Sequence, residues 1–316
     1  MSCDAAFDAI VSRCARLERI ATGFGFTEGP VYVRDGYLLF SDIPGNVIHR
    51  WTPSEGVVEF RRPGGYDGDA APPGAFIGSN GLTLDCEGRL TICEHGNRRV
   101  TRLERDGGLT VLADRYQGKR LNSPNDVVYK SNGALYFTDP PYGLVDQDGD
   151  RAKELPFNGI FKLDVDGTLT LLDASMTRPN GLAFSPSEEY LYVSNSDDSC
   201  RMWKRFAITS DGGLCDGRVF ADVTDEKAPG NPDGLKLDVA GNVYGTGPGG
   251  IWIFSPDGTH LGTIRTPEIP ANAHWGKWAT DADDAALRPG EDAATLYITA
   301  ETSVYRVELN IPGIRP

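Results

Sequence analysis

The sequence predicts an all-β protein, a six-bladed β-propeller with four-stranded antiparallel blades whose ring is closed by pairing an N-terminal strand into the last blade. Three observations carry that reading. A short opening of a polar residue followed by small or apolar ones recurs six times, at Glu28-Gly29-Pro30, Asn80-Gly81-Leu82, Asn125-Asp126-Val127, Asn180-Gly181-Leu182, Asp233-Gly234-Leu235 and Asn272-Ala273-His274. The intervals are of the roughly 40 to 50 residues that mark propeller or solenoid arrays. Each opening leads into β-rich runs separated by turns, and the last repeat stops one strand short.

The first strand of each unit begins at its opening. A second strand follows a glycine or charged turn, at Gly36–Asp42, Gly88–Glu94, Gly133–Asp139, Glu189–Asn195, Gly241–Gly247 and Ala294–Ala300, all rich in β-branched and aromatic residues. Third strands are expected at Asn46–Trp51, Arg98–Glu104, Gly159–Asp164, Arg201–Ala207, Gly250–Ser255 and Ser303–Leu309. Asp106-Gly107, Asp166-Gly167, Asp211-Gly212 and Asp257-Gly258 then reverse the chain into fourth strands, because glycine supplies the positive φ of a tight hairpin. Too few residues follow Leu309 for a fourth strand in the sixth blade, and Leu17–Phe24 can supply it. Closure of that kind removes a free sheet edge.

Residues 1–16 are broken by Asp4, Asp8, Arg13 and Arg16 and read as a short helical extension, with 17–316 forming one propeller domain. The Gly/Pro/Asp-rich segments 62–79 and 140–157 are expected as long loops over one face, the usual place for function. The aromatic residues Trp51, Phe161, Trp203, Trp252 and Tyr305 hold equivalent third-strand slots, which makes them inter-blade core. A formal net charge of −14 disfavours nucleic acid and anionic membranes and favours cations and small molecules. No transmembrane run is seen. Six sparse cysteines without zinc-type spacing read as reduced thiols in a cytoplasm, with a Cys200–Cys215 bridge as the alternative.

In a propeller the six openings face one axial space. Glu28, Asn125, Asn180 and Asp233 bring two carboxylates and two amides, the oxygen donors that hard divalent cations prefer. Asn and Asp before glycine are also ordinary turn residues. That reading leaves Glu28 and the Asn125-Asp126 pair unexplained, so the ring as a whole points to a metal site. Of the histidines at 49, 95, 260 and 274, His95 ends beside Glu94 on the loop face and His274 follows the sixth opening, so both are candidates to line the cavity; His49 and His260 are expected outward. Arg98 and Arg99, being adjacent, are expected on opposite faces of a strand, one of them a surface charge. Asp139 is either a carboxylate beside Tyr142 that supports a metal or a turn residue ahead of Pro140-Pro141.

Four segments in order, FTEGPVY (26–32), SPNDVVY (123–129), RPNGLAFS (178–185) and NPDGLKLD (231–238), resemble the metal-site motifs of the senescence marker protein, gluconolactonase and luciferin-regenerating-enzyme family. EHGNRRVTR (94–102) and LYFTDPPYGL (135–144) make the bacterial gluconolactonase branch the most similar. The resemblance implies a six-bladed propeller holding one divalent cation on Glu28, Asn125, Asn180 and Asp233. Calcium is the expected ion, and Zn²⁺, Mg²⁺ and Mn²⁺ suit the same donors. It further implies a metal-dependent hydrolase that opens a sugar lactone such as glucono-1,5-lactone to its acid. Asp233 is then the expected general base with Glu28 the competing candidate, and Asn80, Glu94, His95, Tyr142 and His274 are expected to bind substrate. A phosphotriester hydrolase of the same propeller type and a non-catalytic metal-binding propeller are the alternatives.

Overall fold

The computed structural model describes residues 5–69, 75–278 and 293–314. Among them lie six four-stranded antiparallel sheets, each with its strands in sequential order except the last. The innermost strands are Thr27–Val33, Ser79–Leu84, Val127–Tyr129, Pro179–Phe184, Leu235–Leu237 and Pro270–Gly276. The sixth blade takes Glu18–Thr22 as its outer strand, antiparallel to Ser303–Glu308, with Arg19 opposite Tyr305. Both the six-bladed ring and its closure by the N-terminal segment match the expectation from sequence.

The opening motif acquires a steric meaning in the fold. A Cβ on Gly29 would stand 2.0 Å from the Asn80 carbonyl oxygen of the next blade, one on Gly181 2.3 Å from that of Asp233, and one on Gly234 2.1 Å from the Asn272 side chain. The second residue of an opening must therefore be small for neighbouring blades to meet at the axis. A belt of second-strand hydroxyls completes the seam. Ser41 Oγ donates to Asn80 O at 2.8 Å, Thr138 Oγ1 to Asn180 O at 2.7 Å, Ser194 Oγ to Asp233 O, and Thr246 Oγ1 to Ala271 O at 3.2 Å. Cys93 occupies the equivalent slot in blade two, where the Gly81 amide takes over and donates to Asn125 O at 2.7 Å. Each opening carbonyl so satisfied costs little to bury.

Between blades the expected aromatic slots are filled. Trp51 meets Tyr297 of blade six at 5.9 Å, and Trp203 meets Phe254 of blade five edge-on at 5.1 Å. Trp252 is only half-buried and stacks on His260 at 4.2 Å. Phe161 packs partly against Tyr116, which lies in a small hairpin, Arg115–Tyr116 with Lys119–Arg120, that the repeat pattern did not reveal. His49 is not outward as expected: it is half-buried between Phe24 and Phe40. The N-terminal helix is Ala5–Ile10, and Phe7 covers Gly262 of blade five so closely that a Cβ there would stand 2.3 Å from its ring. Cys14, Cys86, Cys93, Cys200 and Cys215 are free thiols, so no Cys200–Cys215 bridge forms; Cys3 lies outside the described residues. Among the described residues no helix is long and apolar enough to cross a membrane.

The hydroxyl belt predicts a measurable cost. Thr138→Val keeps shape but leaves the buried Asn180 carbonyl without its donor, and urea unfolding should show a loss of about 1–3 kcal/mol.

Candidate functional site

The openings meet at one end of the central channel, where Phe76 adjoins His95 and the 140–158 loop brings Tyr142 to Asn180. Glu28 is buried, and its Oε2 accepts from the Gly29 amide and, at 3.0 Å, from Asn272 Nδ2. The same Asn272 nitrogen lies 3.5 Å from Asp126 Oδ2. The Asp233 carboxyl lies near enough to Glu28, Asp126 and the Asn180 amide for each to act on its ionisation. Glu28, Asn180 and Asp233 thus gather in one place, and Asn125 adjoins them through Asp126.

Three carboxyls gathered away from water disfavour one another's ionisation. Burial first, and then the charge of Asp126, pushes Glu28 up to about 7. Burial, followed by Glu28 and Asp126, pushes Asp233 well above the usual carboxylate range. Around these acids lie amide oxygens with nothing to accept. Asn80 Oδ1, Asn125 Oδ1 and Asn180 Oδ1 are each buried without a hydrogen-bond donor. Buried acceptors are ordinarily satisfied, and orphaned oxygens beside acids of raised pKa suit a hard cation. Among the described residues no three His, Cys, Asp or Glu side chains form a metal-holding group.

Neighbours fix which end of each amide is left over. Asn180 Nδ2 donates to Ser196 Oγ at 3.0 Å, and Ser196 Oγ donates in turn to Pro232 O. Asn80 Nδ2 lies 3.1 Å from His95 Nε2 and donates to it, since burial lowers the His95 imidazole to about 4 and keeps it neutral. His95 therefore holds the Asn80 amide with its oxygen free. Tyr142 arrives on the 140–158 loop, where Ser123 Oγ donates to Pro140 O at 2.6 Å and accepts from the Gly143 amide at 2.9 Å. Its hydroxyl is within hydrogen-bonding reach of Ser196 and Asn180, and burial together with the Asp233 charge raises its pKa. Gly143 is needed for the loop to settle, since a Cβ there would stand 2.8 Å from the Cβ atoms of His95 and Ser123.

Two residues expected at the substrate are placed otherwise. Glu94 is buried with both oxygens engaged, Oε2 by Asn97 at 2.6 Å and Arg99 at 2.8 Å, and Oε1 by Thr101 at 2.5 Å, so it anchors the 94–99 turn. His274 lies further along its inner strand, lining a cavity of about 1600 Å³ at the opposite end of the channel, and burial and the Lys236 charge lower it to about 3. Neither arginine of the 98–99 pair is a simple surface charge. Arg98 is buried with φ +58° and donates to the carbonyls of Leu121, Asn122 and Ala152, while Arg99 pairs with Glu94. Asp139 closes its strand and accepts from the Asn122 amide at 2.7 Å, which fixes the approach to Asn125.

Asp126 and Asn272 were not singled out from the sequence as site residues. Asp126 carried a signal, being the one opening whose second residue is neither glycine nor alanine. Asn272 carried only its place as the sixth opening, and the fold shows its amide facing two acids.

The chain is similar to several known proteins. The family model described as the SMP-30/gluconolactonase/LRE-like region matches residues 26–302. A gluconolactonase of Zymomonas mobilis is 40% identical over 97% of this chain and 85% of its own length. The pentonolactonase XacC of Haloferax volcanii is 28% identical over 86% and 80% respectively. A solved gluconolactonase from Xanthomonas campestris superposes with a TM-score of 0.79 at 32% identity, covering 97% of this chain and 93% of that one.

The buried neutral His95 gives this end of the ring an acid sensitivity. Unfolded histidine takes its proton near 6.5 and the folded ring only near 4, so the stability is complete above 6.5 and is lost as pH falls towards 4. Urea unfolding should show His95→Gln losing less stability than wild type between pH 7 and pH 4.5, by up to about 3 kcal/mol.

Proposed function

The chain belongs to the SMP-30/gluconolactonase/LRE-like family and is a lactonase that hydrolyses the ester bond of a sugar lactone, and on that premise we propose that its acidic centre holds the divalent cation of the reaction. Glu28, Asn125, Asn180 and Asp233 would hold the ion. The observation that carries this reading is the pair of orphaned amide oxygens, Asn125 Oδ1 and Asn180 Oδ1, beside carboxyls of raised pKa. An all-oxygen donor set of amides and carboxylates suits calcium, and Mg²⁺, Mn²⁺ and Zn²⁺ compete for it. Such an ion supplies a Lewis acid for the ring carbonyl and lowers the pKa of a bound water.

The protein's own groups do the rest. Asp233 takes a proton from the attacking water as its oxygen adds to the carbonyl carbon. The ring carbon–oxygen bond then breaks, and that proton passes to the departing ring oxygen, which leaves as the hydroxyl of the open acid. Glu28 is the less suited base, because its Oε2 is already engaged by Gly29 and Asn272. Tyr142, with its hydroxyl among Asn180 and Ser196, and Asn80, with its free oxygen set by His95, direct the sugar hydroxyls. We retain aldonolactones such as glucono-1,5-lactone as the substrate, the 17–316 propeller as the catalytic domain and the cytoplasm as the compartment.

A pH-indicator assay over five- and six-membered sugar lactones tests this directly. Chelator should abolish turnover and a divalent salt should restore it. Asp233→Asn should keep measurable ion binding while kcat falls by about 100-fold or more. Turnover persisting in chelator overturns the metal reading, and a fully active Asp233→Asn removes that residue from the role of base. Faster turnover of a phosphotriester than of any lactone would favour the other hydrolase class.

A further inference from the structure

We propose that Lys236 is a built-in counter-charge of the acidic centre, a positioning residue whose ammonium, acting through the Asn272 amide, leaves the buried carboxylates matched to one divalent ion. The inference rests on the metal reading above.

Lys236 lies on the inner strand Leu235–Leu237, and its side chain lines the cavity at the far end of the channel from the openings. Its Nζ donates to Leu235 O at 3.0 Å and approaches Asn272 Oδ1 at 3.4 Å. The Ala273 amide donates to that same oxygen at 2.8 Å, so the Asn272 side chain cannot turn over without losing a donor. Its Nδ2 is thereby fixed toward Glu28 Oε2 and Asp126 Oδ2, at 3.0 and 3.5 Å. Ammonium, amide and carboxylates are thus linked in series through Asn272. The Lys236 charge also acts on both Glu28 and His274. Among the described residues Lys236 makes no ion pair of its own with any carboxylate.

The charges decide what such a lysine is for. Ionised Glu28, Asp126 and Asp233 carry three negative charges, and the other buried acids near the openings are engaged elsewhere, Glu94 by Arg99 and Asp139 near Arg98 and Lys153. One ammonium reduces the three to two. A centre of that charge is neutralised by a divalent ion, whereas without the lysine it would suit a trivalent ion of similar size, since unpaired charge in a buried site is costly.

Calcium and terbium dissociation constants, measured by competition titration and terbium luminescence on the full chain, test this with readouts independent of turnover. In Lys236→Met the ratio of calcium to terbium dissociation constants should rise by about tenfold or more, equivalent to about 1.4 kcal/mol. Lys236→Arg should keep the wild-type ratio. The double variant Lys236→Met/Asp126→Asn, which removes one charge of each sign, should return toward it. Equal changes for both ions in Lys236→Met would reduce the residue to packing and overturn the proposal. If Lys236→Met folds only with an ion present while the double variant folds without one, the counter-charge is supported; failure of both to fold overturns it. Wild-type protein that binds neither ion would instead overturn the metal reading itself.

Discussion

A Cβ on Gly234 would stand 2.1 Å from the Asn272 side chain, and the same steric limit recurs at Gly29, Gly81 and Gly181. Those contacts set how near the axis the six blades can come. With glycine or alanine at five of the six positions, the opening carbonyls of Asn80, Asn125, Asn180 and Asp233 each reach a hydroxyl or amide of the blade before. The consequence for chemistry is unavoidable. Polar residues that begin the inner strands are pressed together in a space too narrow for water to solvate them separately, and their pKa values move accordingly. Asp126 is the exception at the second position, and its side chain adds a third carboxylate where the other blades leave room for one another.

Crowding alone does not make a binding site; the amides must also present the correct end. Here three of them are oriented by a neighbour. Ser196 fixes Asn180, His95 fixes Asn80, and Ala273 fixes Asn272. Such outer partners hold first-contact atoms in place before any ligand arrives, which lowers the reorganisation that binding requires. The loop that brings Tyr142 is secured in the same way, through Ser123 and the close approach at Gly143. His95 thus acts at one remove, as a neutral acceptor buried too deeply to be a general base near neutral pH.

Much of this was legible in the chain because the repeat writes it six times. The strand pattern needs only local alternation and turn glycines, and the ring of openings follows from aligning the repeats, so Glu28, Asn125, Asn180 and Asp233 stood out together. Residues that depend on one particular neighbour did not. Glu94 is a polar residue at a strand end, and nothing in its own segment tells that Asn97, Arg99 and Thr101 converge on it. His274 sits beside an opening in sequence, yet the extended strand carries it toward the opposite mouth. Arg98 takes a left-handed backbone conformation just ahead of the strand Arg99–Leu103, so strand alternation does not govern its side. Asn272 and Lys236 are informative only as a pair, and they come from different blades.

Glu18–Thr22 completes the blade whose other strands lie between Pro270 and Glu308, so the ring is fastened by segments at opposite extremes of the sequence. Their meeting carries a high loop-closure cost, which places it late on the folding route. Until then Ser303–Glu308 offers a row of bare amides and carbonyls, and any matching strand can take them. In a concentrated refolding mixture the nearest match is the same segment of another molecule. Slow, dilute refolding therefore favours self-contained rings, and haste favours exchanged, interlinked ones.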